Sequence, residues 1–316
     1  MGEYRSPKPV VVGVQIPPPV PIMINLKKIF QTKNPIIGMV HFPPLLGYKD
    51  FPGLEICLQK SLRDAKTLEK GGVDAIMFEN NYDIPHQEFV GPETVAIMTF
   101  LIQKITEKIN LPFGVNVLWN DYKSALSIAK VCGGKFVRVP VFVDSVETNY
   151  GKIFANPKEV LAFRKKIGAE NVALFTDIHV KHAKMLEKKT IAQSAKEAVK
   201  KGSDALIITG KWTGEAPNIS DLKEMREAVG KNFPILIGSG TTKNNVGILL
   251  KYADGVIIGT ALKTGKVRPG REINLKSWKE KISLEKTKEF VKTFQRILGN
   301  RKINQKKGKS KSRRKN

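Results

Sequence analysis

Cysteine is nearly absent: the 316 residues include two, Cys57 and Cys132. They lie far apart and without CxxC spacing, which excludes a disulfide framework or a zinc knuckle and fits a reducing compartment such as the cytoplasm. Long apolar runs are missing too. The longest are strand-length stretches such as 204–210, well short of the roughly 20 residues a membrane-spanning helix needs. Acid is scarce relative to base, with 29 Asp and Glu against 54 Lys and Arg, for a formal net charge of +25. The excess is unevenly placed, since residues 299–316 carry nine basic residues and no acid. What is present in ordinary amount is apolar residues, at 41%, so the bulk of the chain has the composition of a globular protein with a large core.

Both ends are expected to lie outside that core. Residues 1–22 hold six of the eighteen prolines, which disfavours helix and sheet alike and predicts an extended, disordered leader. Its stretch 10–20 is interrupted by Gly13, Gln15 and Pro17 to Pro19, so it lacks the continuous apolar region of a secretory signal. The other end, 299–316, reads as a solvated, disordered polycation. Without an aromatic residue on which a base can stack, it is expected to give weak, salt-sensitive contact with nucleic acid or an anionic membrane.

Between the ends, from 23 to 298, short β-rich runs alternate with segments of helical period. The runs are 35–42, 74–80, 113–119, 136–142, 172–178, 205–210, 234–240 and 255–261. Each precedes a helical segment, at 55–70, 92–109, 122–132, 157–167, 189–201, 218–229, 243–251 and 283–297. The strands are nearly continuous Val, Ile, Leu and Phe, as expected when both faces are buried. Eight such units predict an α/β fold of the (β/α)8 TIM-barrel type. The rival, an open doubly wound sheet, is disfavoured by the lack of a GxGxxG turn after the first strand. Three turns, GGVDAI (71–76), KGSDAL (201–206) and ADGVII (253–258), repeat one boundary signal.

A barrel places its site at the C-terminal ends of the strands. The glycine turns GSGTT (238–242) and IGTALK (258–263) follow strands seven and eight, and Gly238, Gly240 and Gly259 let an anion approach backbone N–H groups, with Ser239 and Thr260 adding hydroxyls. They are the candidate phosphate cradle, although glycines also simply make tight turns. In TDIHVKH (176–182), Asp177 and His179 share one strand face, and Lys181 joins them if the chain stays extended. Asp177 is a candidate proton acceptor or ligand of a divalent metal such as Mg²⁺, and Lys181 and His182 are candidate catalytic cations, a structural ion-pair network being the alternative. Glu79, in FENNYDIP (78–85), is the fourth catalytic candidate. Arg138 is flanked by valines and should meet an acid in the barrel, Glu79 or Asp177. His41, Asn80, Asn116, Trp119, Asn120, Thr209 and Lys211 complete the candidate substrate-binding set, Trp119 serving equally well as core filler.

The segments PIIGMVHFPPL (35–45), GVDAIMFENNYD (72–83), GVNVLWND (114–121), FVRVPVF (136–142), TDIHVKHA (176–183), ITGKWTG (208–214) and LIGSGTTKNN (236–245) together resemble the BtpA family, named for a role in photosystem I biogenesis. The resemblance runs from about Met23 to Lys263 and implies a TIM barrel of the phosphate-binding kind, with an activity that is unsettled. The leader and the basic C-terminal extension depart from it. The expectation is an enzyme acting on a phosphorylated small molecule such as a sugar phosphate or nucleotide. The alternatives are a non-catalytic assembly or stability factor for a membrane complex, and a nucleic-acid-associated protein acting through the tail.

Overall fold

The computed structural model describes residues 26–266 and 274–312. In chain order its elements are α1 (Leu26–Phe30), β1 (Ile36–His41), α2 (Leu54–Gly71), β2 (Ala75–Glu79), α3 (Pro92–Thr106), β3 (Phe113–Asn116), α4 (Tyr122–Cys132), β4 (Phe136–Val139), β5 (Val146–Thr148), β6 (Gly151–Ile153), α5 (Pro157–Lys166), β7 (Ala173–Ile178), β8 (Ala183–Met185), α6 (Ile191–Lys200), β9 (Ala205–Ile208), α7 (Ile219–Val229), β10 (Ile235–Ile237), α8 (Val246–Leu249), β11 (Gly255–Ile258), a 3₁₀ turn at Thr260–Leu262, and α9 (Leu284–Ser312). Eight strands pair in parallel and close on themselves in the order β1-β11-β10-β9-β7-β4-β3-β2. The expected TIM barrel is therefore the fold. The leader at 1–22 lies outside the described residues. In the segment read as a tail, α9 continues as helix to Ser312; Lys, Arg and Gln are good helix formers.

The repeated glycine-aspartate turns explain the strand register. Gly72 and Gly202 end their helical segments with φ of +87° and +97°, a conformation open to glycine at little cost. The aspartate that follows clamps the neighbouring strand. Asp74 donates its N–H to Ile36 C=O at 2.9 Å and accepts the Ile36 N–H at 2.8 Å. Asp204 repeats this on Leu174 at 2.9 and 2.8 Å, and Asp254 on Ile235 at 2.8 and 2.9 Å. One residue thus satisfies both backbone groups at the start of the strand beside it and fixes the pairing.

Inward-facing side chains divide into an apolar floor and a polar ceiling. Ile37, Met39, Met77, Phe136, Phe175, Ile207, Leu236 and Ile257 pack with Leu26 and Phe30 of α1. The Phe30 ring lies 5.5 Å from that of Phe136, which stacks on Phe175 at 4.7 Å, so α1 plugs the N-terminal end of the barrel. One layer higher, β1, β2, β3, β4 and β7 present His41, Glu79, Asn116, Arg138 and Asp177, all buried. A small antiparallel sheet, β6-β5-β8, is added beside the C-terminal ends and covers Trp119, Val141 and Val180.

Candidate active site

The polar layer is a connected chain of side chains. Arg138 donates from Nε and Nη2 to the two oxygens of Asp177 at 2.8 and 2.7 Å, and its Nη1 lies 3.8 Å from Glu79 Oε2. Asn116 Nδ2 donates to the same Glu79 oxygen at 2.6 Å. The other oxygen, Oε1, lies 3.3 Å from His41 Nε2, and His41 Nδ1 is 3.0 Å from Lys263 Nζ. Lys263 also donates to the Tyr82 hydroxyl at 3.0 Å, which in turn donates to Lys276 C=O at 2.8 Å. Arg138 therefore meets both of the acids named for it, Asp177 bidentately and Glu79 alongside.

These contacts set the charges. Burial would raise the Glu79 carboxyl, but the bond to His41 and the cations of Arg138 and Lys181 outweigh it and hold it at about 2. Burial and Lys263 push His41 down to about 4, so at neutral pH a neutral imidazole donates from Nε2 to a carboxylate, leaving Nδ1 as acceptor. Burial and Arg138 lower Lys181 to about 8, against Glu79 and Asp177. Within the layer Arg138 and Lys181 balance Glu79 and Asp177, and Lys276 and Lys286 beside it add positive charge, which suits an anionic ligand.

A cavity of about 700 Å³ opens above this layer, lined by His41, Glu79, Arg138, Lys181, Gly238, Ser239, Gly240, Gly259 and Thr260 among others. Nine residues expected at the site therefore share one space. Gly240 has φ +65°, and a Cβ there would lie 2.0 Å from the Glu215–Ala216 backbone, so the turn admits only glycine. Two parts of the expected cradle are engaged within the protein. Gly238 N–H donates to Ile208 C=O at 2.8 Å. The Ser239 hydroxyl donates to Glu215 C=O at 2.7 Å and accepts from Gly210 N–H at 3.1 Å, tying two loops together.

The other expected residues lie around the cavity rather than in its lining. Asp177 has both oxygens on Arg138, and among the described residues no group of three or more His, Cys, Asp or Glu could hold a metal ion. After Ile178 the strand ends, because His179 and His182 adopt φ of +49° and +59°. His179 N–H turns to Asp144 Oδ2 at 3.2 Å. The same turn still delivers Lys181 to the cavity, while His182 Nε2 accepts the Thr213 N–H at 3.2 Å and is lowered to about 4 by burial and Lys181. Asn80 accepts the Leu118 N–H at 2.7 Å. Asn120 bridges both backbone groups of Val141, at 3.1 and 2.8 Å. Trp119 is buried in the cluster under the small sheet. Thr209 accepts the Lys181 N–H at 3.2 Å, and the Lys211 side chain is exposed.

Several site residues were not singled out from the sequence. Lys263, Tyr82, Thr213, Asn274 and Lys276 line the cavity. His86 is 3% exposed with neither ring nitrogen hydrogen-bonded. Burial pushes it to about 4, with Glu79 acting in the opposite sense. Tyr82 and His86 were inside or beside the quoted FENNYDIP segment, and Lys263 ends IGTALK; being a polar residue just beyond a strand end was the available signal.

The BtpA family model matches residues 32–292. The chain belongs to the BtpA family. That match starts later than the Met23 expected from the sequence and runs past Lys263 into α9, so the last barrel helix is part of the family domain. This BtpA-family chain is 37% identical over 243 residues to the photosystem I biogenesis protein BtpA of Synechocystis sp., covering 76% of this chain and 84% of that protein. It is 39% identical over 255 residues to an uncharacterised protein of Methanocaldococcus jannaschii, covering 80% and 95%. Among solved structures, thiamine phosphate pyrophosphorylase from Pyrococcus furiosus superposes with a TM-score of 0.52 at 14% identity, covering 85% of this chain and 98% of that one. This last likeness concerns the fold. Among the described residues no helix is long and apolar enough to cross a membrane.

Proposed function

We propose that this BtpA-family barrel is an enzyme acting on a phosphorylated small molecule, a sugar phosphate or nucleotide, at the C-terminal mouth. The observation that carries the reading is the sharing of one cavity by the glycine turns at Gly240 and Gly259 and by Arg138, Lys181, His41 and Glu79. Phosphate would sit against the backbone of those turns and the Thr260 hydroxyl. Lys181 faces it as a counter-charge. Glu79, held ionised, and the neutral His41 bonded to it are placed to accept and return a proton. Asp177 acts through Arg138, which it aims, and His182 holds the Thr213 loop. Calorimetric titration with inorganic phosphate and ribose 5-phosphate tests this. Binding should weaken at least about tenfold, the roughly 1.4 kcal/mol or more that one charge-assisted contact supplies, in Lys181→Ala. Unchanged affinity in that variant, or no binding to the wild-type protein, overturns the reading.

A second reading is favoured by the name of the Synechocystis relative: an assembly or stability factor for a membrane complex, with its basic residues meeting anionic lipid. Flotation with anionic liposomes, with and without residues 299–316, separates it from the first. Co-flotation that depends on the tail supports it, and absence of the protein from the lipid fraction removes it.

A further inference from the structure

Lys263 follows the 3₁₀ turn after β11 and is 2% exposed, yet it lines the cavity. Among the described residues its ammonium position makes no ion pair; its hydrogen-bond partners are the Tyr82 hydroxyl and His41 Nδ1, both at 3.0 Å, and it lies 5.1 Å from the centre of the Tyr82 ring. Other lysines gather around its main chain and that of His41. Lys276 and Lys286 both donate to the C=O of Lys263, at 2.7 and 2.9 Å. Lys60 donates to the C=O of His41 at 3.1 Å. Of the nearby carboxylates, Asp64 is held by Lys60 at 2.8 Å, and Glu79 stands behind His41. A lysine whose task is to bind phosphate as a point charge gains from full ionisation. This setting, desolvated and without an ion pair among the described residues, favours the neutral amine, the form in which lysine is a nucleophile.

We infer that Lys263 forms an imine with the carbonyl carbon of a phosphorylated aldehyde or ketone held in the cavity. The inference deepens the phosphorylated-ligand reading and rests on it. Burial and Lys60 lower Lys263 to about 7, consistent with a substantial neutral fraction at physiological pH. The neighbours suit the proton transfers. His41 donates from Nε2 to Glu79, so its Nδ1 is an acceptor for an N–H of Lys263, and the Tyr82 hydroxyl, which donates to Lys276 C=O, accepts the other. The lone pair of the neutral amine then remains for an incoming carbon.

In the step itself the lone pair forms the new C–N bond while the C=O π-electrons move to oxygen. One N–H proton passes to His41 Nδ1, where Glu79 stabilises the imidazolium, and is returned to the oxygen, with Tyr82 as the second hydroxyl in reach. The second N–H proton follows by the same relay through His41, the C–O bond breaks as C=N forms, and the oxygen leaves as water carrying the two protons that began on Nζ. One amine and one carbonyl give one imine and one water, with no oxidant or reductant required.

The test uses the full chain, with glyceraldehyde 3-phosphate as the carbonyl probe and sodium cyanoborohydride to reduce any imine to a stable secondary amine, followed by digestion and mass mapping of every modified lysine. Glycerol 3-phosphate, a similar ester without a carbonyl, is titrated in parallel and added as competitor. The expected result is a reduced adduct concentrated on Lys263 and lost in excess glycerol 3-phosphate. The wild-type map decides the matter without relying on Lys263→Arg, a buried substitution at risk of misfolding. Tyr82→Phe, which keeps the ring but removes an acceptor of the Lys263 amine, should slow labelling of Lys263. If glycerol 3-phosphate binds but adducts scatter over exposed lysines, the imine is overturned and the phosphate reading stands. If neither ester binds, both fall.

Discussion

His86 shows most plainly what a single buried group does to this protein. Its ring lies 5.3 Å from that of Tyr150, near Glu79 and His182, with no hydrogen bond to either nitrogen. His41, His86 and His182 are all lowered from 6.5 to about 4, each by burial first. The sign follows directly. Between pH 6.5 and 4 the unfolded chain binds protons at these positions and the folded chain does not, so stability is fully present above 6.5 and is lost as pH falls through that window. The buried His41 and His86 are each worth up to about 3 kcal/mol over it, and the half-buried His182 less. Glu79, held at about 2 against an ordinary 4.5, extends the loss to lower pH. Urea unfolding measured at intervals from pH 7 to 4 should show falling stability with an uptake of more than one proton. His86→Phe should reduce that uptake by about one proton and raise stability at pH 5, because it removes two unpaired polar atoms while keeping the bulk. An unchanged slope in His86→Phe would show that this ring is protonated in the folded state. None of this was legible in the sequence, where His86 was one polar residue in a loop. Its environment is assembled from Tyr150, beside the small sheet, and from strand ends far away in the chain.

At the scale of elements, the barrel was legible because its strands and turns advertise themselves locally. Runs of Val and Ile bounded by glycine and aspartate fall within a few residues of β1 to β4, β7 and β9 to β11. The expected runs overshoot where a strand stops early, as at β4, which ends at Val139 because Pro140 has no N–H to continue the ladder. Elements with no local signature were missed: α1 spans five residues, and β5, β6 and β8 three each, too short for any periodicity. Polar residues at strand ends were found but not sorted, since Asn80 and Asn120 differ from Glu79 only in what their loops bring near. The aspartate turns yield a prediction at this scale. In Asp204→Ala the Leu174 N–H loses its acceptor, and Arg164, 3.3 Å from that carboxylate, loses its partner. The change should destabilise the barrel by about 1–3 kcal/mol, read as a lower urea midpoint with the slope of unfolding unchanged. A loss of stability no larger than that of an exposed Asp→Ala change would mean that the clamp contributes nothing to register.

Over the whole molecule the charge divides into two parts with different consequences. Arg138, buried, and Lys181, half-buried, face one cavity and act at short range in low dielectric, where added salt screens them little. The nine basic residues of 299–316 lie beyond the family match, which ends at 292, and are expected to act as sequence-independent electrostatic charge. The two parts should therefore separate by salt. Removing 299–316 is expected to leave the affinity for a phosphate ester and the urea midpoint unchanged. Retention of the full chain on heparin or single-stranded nucleic acid should fall steeply as salt rises from about 50 to 200 mM, with most of that dependence lost on truncation. Should the truncated chain elute at the same salt as the full one, the polyanion surface would lie on the barrel. The excess of cations around the cavity would then be part of a wider basic face rather than a pocket for one small anion.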